Sequence, residues 1–488
     1  MLRGRAVAVA AVALLAAACG SSGGIVHPAR PGSAVATSPS STTQPAGSPA
    51  PSAGGTTPPA CPADYAAPDP ARPRMTLRFD IGADHTHVTG HERISFTPDR
   101  RITELVFRLT ANSPTAAGSV RTQTRILRAT ADHGGTGFTF SPAGAAAGTQ
   151  GGLLRIPFAA PVAAGTTVTA EIDFTLTVGD APPQAFPRVG HVDGYAYFGS
   201  GAPLLAWQRG YGWHTENLVG FPAETATSEA MAVDLTVVAP RADVVIASGN
   251  PTPGAVTGAA RTWHATLAAA RDVSVAAGPF SDTTTKVGGV TLHLGAPTKA
   301  VRDQLVPEFR RAITALVARF GPFPFPSLSV ARIPVNGGGI EYPSSILMLD
   351  STRLVAVHET AHQWFYAMVG DSQALHPWLD EAFAQYSEEL IDGEPAHPQD
   401  LQTGRPVDTP VSAYGADSNA YYFTTYNKGS AALEKARTVA GAAKWDAAIR
   451  CYVAANAWRI AAPADLEKAL AGLPAAISVL RAAGAFRS

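Results

Sequence analysis

The 488-residue chain reads as a multidomain α+β protein. It predicts an N-terminal antiparallel β-sandwich or saddle domain, a mixed α/β domain and a short all-helical C-terminal part. Three observations predict this. Between about residues 72 and 295, short apolar runs alternate with period two and are broken by Gly, Pro and Asp, the pattern of half-buried strands. At Lys299 the period switches to that of a helix, with Val301, Leu305, Phe309, Ile313 and Leu316 recurring at its spacing. From about Tyr426 to the end, helical patterns follow one another with only short breaks. The charge is balanced, 37 basic against 38 acidic residues, so nothing favours a nucleic-acid partner.

The first residues carry Arg3 and Arg5 and then an apolar run to Ala18, too short to span a bilayer but suited to a signal peptide over residues 1–18. The run ends Leu15-Ala16-Ala17-Ala18-Cys19, similar to a bacterial lipoprotein signal with Cys19 as the lipidated residue. The expectation is a membrane-anchored, extracytoplasmic lipoprotein; secretion after Ala18 is the alternative. Residues 19–61 are Ser, Pro, Thr, Ala and Gly with almost no charge, a tether that cannot bury enough surface to order itself. Two further cysteines, Cys61 and Cys451, would share an oxidising compartment; whether they pair stays open, because sequence gives no distance between them.

The β domain is expected over 62–295, with strands such as Met75–Ile81, Glu104–Leu109, Val168–Phe174, Val233–Val238 and Val290–Leu294. His85, His87 and His91 fall in a hairpin of this sheet with no metal-ligand spacing and read as ordinary surface histidines. The α/β domain is expected over 296–395. It holds a helix ended by Gly321-Pro322, a strand Leu328–Ile333, the glycine-rich turn Asn336–Gly339 and two helices, about 352–369 and 377–390. The helical region follows over 396–488.

Chemistry concentrates in those two helices. In His358-Glu359-Thr360-Ala361-His362, two histidines four apart lie on one helix face, since four residues overshoot a turn by only about 40°. That suits two imidazoles on a zinc ion with Glu359 beside the metal-bound water. By chance alone such a motif arises in about one chain in a hundred of this composition, so the motif needs companions. Glu381 supplies one: it lies nineteen residues after His362 on the second helix, where a third ligand would stand. Glu388, one helix face along, is a candidate to orient a histidine ligand.

These residues resemble the gluzincin metallopeptidases, and further features resemble their aminopeptidase N family. Trp364-Phe365 follows the second histidine. Gly338-Gly339-Ile340-Glu341 is similar to the family's exopeptidase signature, and Tyr426-Asn427-Lys428-Gly429 to its catalytic tyrosine motif. Gly321 to Pro326 and Gly90-His91-Glu92-Arg93-Ile94 fit as well, so the resemblance spans about 65–455. It implies a thermolysin-like fold for the α/β domain and one Zn2+ per chain on His358, His362 and Glu381. Glu359 is then the general base, Tyr426 the oxyanion donor, and Glu341 the anchor for a peptide's free N-terminus. Gly338 and Gly339 would let backbone approach the substrate. Tyr421 is a weaker second candidate for the tyrosine. Asp380 and Ala382 depart from the Asn and Gly common in the family's eukaryotic members, and Ile340 and Tyr342 from the Met and Asn of its exopeptidase signature. The chain ends at Ser488, which implies a member without the long helical-repeat domain of the large aminopeptidases. The implied function is removal of N-terminal residues from peptides. A gluzincin endopeptidase or other hydrolase, or a catalytically silent binding lipoprotein, are the alternatives.

Overall fold

A computed structural model describes residues 61–62, 64–115, 122–134, 137–181 and 187–486. The signal segment, Cys19 and all of the tether but Cys61 lie outside the described residues. Among the described residues no helix is long and apolar enough to cross a membrane.

A seven-stranded sheet runs in the order 252–257, 260–270, 231–240, 74–81, 87–96, 168–177, 123–131. Apart from the exposed edge strand 252–257, its strands tend to alternate buried and more exposed residues, buried and half-buried in Val168–Thr177, because one face meets the core. One pair departs from the expected antiparallel pattern: Arg74–Ile81 and Met231–Pro240 run parallel, which lets a segment distant in sequence close the sheet. Two four-stranded sheets and the short pair Trp207–Gln208 and Gly212–Trp213 accompany it in the β-rich part. The first includes Ile102–Arg108 and Leu153–Val162; the second includes Val244–Ala247, Ser274–Gly278 and Tyr195–Gly199. Phe79, Ile94 and Leu235 of the large sheet share one core with Phe107 and Ile156 of the first and Phe198 and Val275 of the second.

A five-stranded sheet follows, ordered 281–287, 290–296, 327–332, 345–348, 339–342. The boundary expected between residues 295 and 296 therefore falls inside it: Val290–Ala296 pairs in parallel with Ser327–Arg332, although its apolar alternation resembles that of the preceding strands. Pattern identifies a strand, not the sheet it joins. Helix α1 (Lys299–Phe320) packs Leu305, Phe309 and Ile313 onto Leu292, Leu328 and Ile346 of this sheet. Gly321 closes α1 at φ +105°, as the Gly-Pro pair predicts.

Helix α2 (Arg353–Ala361) is capped by Thr352, whose side chain accepts from Val355 N at 3.3 Å. It stops at His362 rather than continuing to Val369 as expected. The chain turns there, with Tyr366 at φ +93°, so that Phe365 stacks on Phe383 at 4.3 Å while the Trp364 indole donates to Tyr65 Oη at 3.2 Å. Burying these adjacent rings against different neighbours wins over helix propagation. Helix α3 (Trp378–Asp392) ends on Gly393, and five more helices complete the chain. They are α4 (Ser418–Tyr422), α5 (Gly429–Ala440), α6 (Ala442–Ala455), α7 (Pro463–Ala469) and α8 (Pro474–Ala482). Val357, Trp378, Trp445 and Leu480 knit α2, α3, α6 and α8 into one core.

Cys61 and Cys451 are joined, with Cα atoms 4.9 Å apart, which resolves the pairing that sequence leaves open. Close by, Tyr65 Oη donates to Pro322 O at 2.9 Å, so the start of the folded chain is pinned beside the end of α1.

Candidate metal centre

The turn α2–His362 and the first turns of α3 place the site. Nε2 of His358 and Nε2 of His362 lie 3.4 and 3.5 Å from Oε2 of Glu381. Bonds of about 2.0–2.1 Å to a tetrahedral zinc put neighbouring donors about 3.3–3.4 Å apart, so both spacings to Glu381 suit zinc, and the three donor atoms all lie within 4.8 Å of one another. The remaining nitrogens are occupied: Nδ1 of His358 meets Glu388 Oε2 at 3.2 Å, and Nδ1 of His362 meets Asp380 Oδ1. A carboxylate on each Nδ1 fixes the ring so that Nε2, once deprotonated, would turn its lone pair to a metal.

The local sequence explains the placement. Asp380 and Glu381 sit in the first turn of α3, where the helix dipole favours negative charge. Burial opposes ionisation of Glu381, yet hydrogen bonds from both histidines hold its carboxyl far below the usual range. Burial likewise works against charge on His358, but Glu381 and Glu388 outweigh it and raise its pKa to about 10. The pocket is thus built to hold positive charge between these three side chains.

Glu359, on the same turn, is buried, and its Oε2 has no hydrogen-bond partner. Burial, aided by the negative charges of Glu341 and Glu381, pushes its carboxyl up to about 8 against the pull of the two histidines. Such a group is poised to take and return a proton near neutral pH. Glu341 lies in the edge strand Gly339–Tyr342, buried, with Oε1 unpartnered, and burial raises its pKa too. One donor atom each from Glu341, Glu359 and His362 falls within 4.8 Å of the others. Gly339 has a use that differs from the expected one: a Cβ there would stand 2.4 Å from Glu359 Cγ, so the space it leaves is taken by Glu359 rather than kept for substrate. Gly338 accepts from Leu349 N at 2.9 Å and continues the strand's pairing.

Tyr426 lies on a single π-helical turn, Phe423–Lys428, between α4 and α5. Such turns are uncommon and concentrate at functional sites. Its ring stacks on His358, centroids 5.9 Å apart and planes 9° off parallel, and burial pushes its phenol well up. Gly429 lets α5 start against α3, since a Cβ would come within 2.5 Å of Ala382 Cβ. Tyr421 instead packs fully buried against Phe221 and Tyr414. The hairpin histidines stay apart from this centre, each with its own carboxylate: His85 with Asp243, His87 with Asp84 and His91 with Asp173, at 2.7, 2.6 and 2.7 Å.

Sequence reasoning missed the residues behind His362. Asp380 stood out only as a departure from a motif, and its contact with Nδ1 follows from its adjacency to Glu381 at a helix start. Gln373, Glu224 and Arg188, which continue from Asp380, carry no periodic or spacing signal.

Residues 341–480 match the peptidase family M1 domain. The chain is similar to Aminopeptidase M1 of Arabidopsis thaliana, 23% identical over 185 residues, covering 30% of this chain and 21% of that protein. It is similar also to Endoplasmic reticulum aminopeptidase 1 of Homo sapiens, 24% identical over 187 residues, covering 31% and 20%. It thus spans about a fifth of the length of the curated relatives it matches. Among solved structures, the M1 zinc metallopeptidase from Deinococcus radiodurans superposes with a TM-score of 0.62 at 20% identity, covering 85% of this chain and 93% of that one. A mutant of it bound to a Tyr-Ser-Ala substrate superposes with the same TM-score at 18% identity, covering 86% and 95%. At these identities the likeness is one of fold.

Proposed function

We propose that this chain, residues 341–480 of which match the peptidase family M1 domain, is a zinc-dependent aminopeptidase of the aminopeptidase N-like gluzincins. The observation that carries the reading is Glu341. A buried carboxylate with a free oxygen, within 4.8 Å of both Glu359 and His362, supplies an anchor for an α-ammonium about one residue from the hydrolytic centre. An endopeptidase has no use for an unpaired buried acid there.

In this reading His358 Nε2, His362 Nε2 and Glu381 Oε2 hold the metal. Zinc, when bound, acidifies a water and polarises the scissile carbonyl. Glu341 pairs with the substrate's ammonium and so sets which peptide bond is presented. Glu359 accepts the proton of the attacking water on its carboxylate and delivers it to the leaving amine. Tyr426 Oη donates a hydrogen bond to the oxygen that gains charge. Glu388 and Asp380 hold the two imidazoles in orientation from Nδ1. The Cys61–Cys451 bond supports an oxidising, extracytoplasmic setting, in keeping with the expected lipid anchor at Cys19.

The test is turnover of amino-acid arylamides by purified protein with and without chelator, repeated with Glu341→Ala. Chelator-sensitive turnover that collapses in the variant is the expected result. Cleavage of N-acetylated peptides at internal bonds, unaffected by Glu341→Ala, would identify an endopeptidase. Bound zinc without turnover of any peptide would identify a binding scaffold.

A further inference from the structure

The carboxylate behind His362 does not stand alone. Asp380 Oδ2 accepts from Gln373 Nε2 at 3.2 Å, and the same amide nitrogen donates to Glu224 Oε2. Glu224 Oε1 in turn is held by Arg188, whose guanidinium also donates to the Tyr342 hydroxyl at 3.2 Å. Arg188 and Glu224 come from segments of the β-rich part, whereas Gln373 and Asp380 lie just before and within α3. The relay thus runs from the β-rich part to a histidine of the metal centre. It touches on its way Tyr342, the neighbour of Glu341.

Its members are crowded and dry. Asp380 is 1% exposed, Gln373 3% and Glu224 9%. Glu224, Glu341 and Asp380 each bring an oxygen within 4.8 Å of the others. Buried like charges at such spacing are tolerated only when donors match them, and breaking one partner of such a set leaves an uncompensated charge. The donors here are the Arg188 guanidinium, the Gln373 amide and the His362 ring. Gln373 has two amide hydrogens and gives one to each carboxylate, so removing this side chain unmatches two acids at once. Asp380 would then be free to leave Nδ1 of His362.

We propose that Arg188, Glu224 and Gln373 are positioning residues for the metal centre: acting through Asp380, they fix the His362 ring, and metal affinity depends on this relay from the β-rich part. The proposal rests on the reading of His358, His362 and Glu381 as zinc ligands.

The test is the zinc dissociation constant of the full-length protein, measured by competition with a chromophoric chelator, so that activity plays no part in the readout. Gln373→Leu and Glu224→Leu should each weaken zinc binding about 10- to 100-fold, the usual effect of losing an outer partner of a ligand. The double variant Gln373→Leu/Asp380→Asn should bind no more weakly than the weaker single variant, because both act on one contact. Should Gln373→Leu fail to fold, as judged by circular dichroism of the metal-free protein, Glu224→Leu carries the same comparison with Asp380→Asn. His362→Ala separates the two layers of the argument. If it binds zinc like the wild type, the ligand reading falls. If it loses zinc while Gln373→Leu and Glu224→Leu keep wild-type affinity, or if the double variant is fully additive, the relay is overturned and the ligand reading stands.

Discussion

Replacing Gly339 by alanine should disable the base without touching the metal. A Cβ at residue 339 would lie 2.4, 2.5 and 2.6 Å from Cγ, Cδ and Oε1 of Glu359, against an ordinary carbon contact of about 3.5–4.0 Å. Gly339 is a member of a paired strand, held to Met348, and cannot retreat without breaking that register, so Glu359 must move by about 1 Å. A displacement of that size in a reacting group costs on the order of 10²-fold in rate, or about 2.7 kcal/mol of barrier. The glycine is at an edge and only half-buried, so folding should survive. The assay is kcat/KM on an amino-acid arylamide, alongside zinc content by metal analysis. The expected result for Gly339→Ala is a roughly hundredfold loss with one zinc per chain retained. Unchanged kcat/KM would refute the claim that Gly339 exists to make room for Glu359. A loss accompanied by loss of zinc would refute the claim that only the base is displaced.

Tyr426→Phe should lower kcat by about 10²- to 10³-fold with little change in KM and none in zinc content, because the lost hydrogen bond is made only as the oxygen gains charge; equal kcat in steady-state assays would remove Tyr426 from the chemistry. Replacing Cys61 and Cys451 together by serine should lower the urea midpoint by the equivalent of about 2–5 kcal/mol, since a loop spanning 390 residues is then released in the unfolded chain; an unchanged midpoint would contradict this. Stability should also depend on Asp272, whose carboxyl burial raises from 3.8 to about 6 against hydrogen bonds from Ser200 and Val273. A folded pKa above the unfolded one favours the neutral acid, so this contribution is complete below about pH 4 and is lost as pH rises through about 6, amounting to roughly 3 kcal/mol. Urea midpoints measured from pH 4 to 7 should therefore fall less in Asp272→Asn than in the wild type, and equal slopes would rule Asp272 out as the cause.

How much of this was legible in the sequence depended on the range over which each residue acts. His358, Glu359 and His362 could be placed from helical geometry alone, because four residues on one turn fix relative direction. Glu381 could be placed by its nineteen-residue offset from His362, onto what reads as the next helix. Where the structure departs from the sequence reading, a long-range contact has overridden a local pattern. Helix α2 ends at Ala361, not Val369, because Trp364 reaches Tyr65, 299 residues away. The strand Val290–Ala296 joins the sheet of Ser327–Arg332, although its alternation matches the strands before it. The relay behind His362 is the extreme case: 149 residues separate Glu224 from Gln373, and neither lies in a periodic segment. A buried acid is intelligible only together with its donor. Glu224 viewed alone is a loop carboxylate and Gln373 a loop amide; each acquires a role only when the other is 3% to 9% exposed beside it and Asp380 completes the chain to a histidine. The ligand triangle can therefore be read from spacing, while what holds one corner of it in place is a property of the assembled fold.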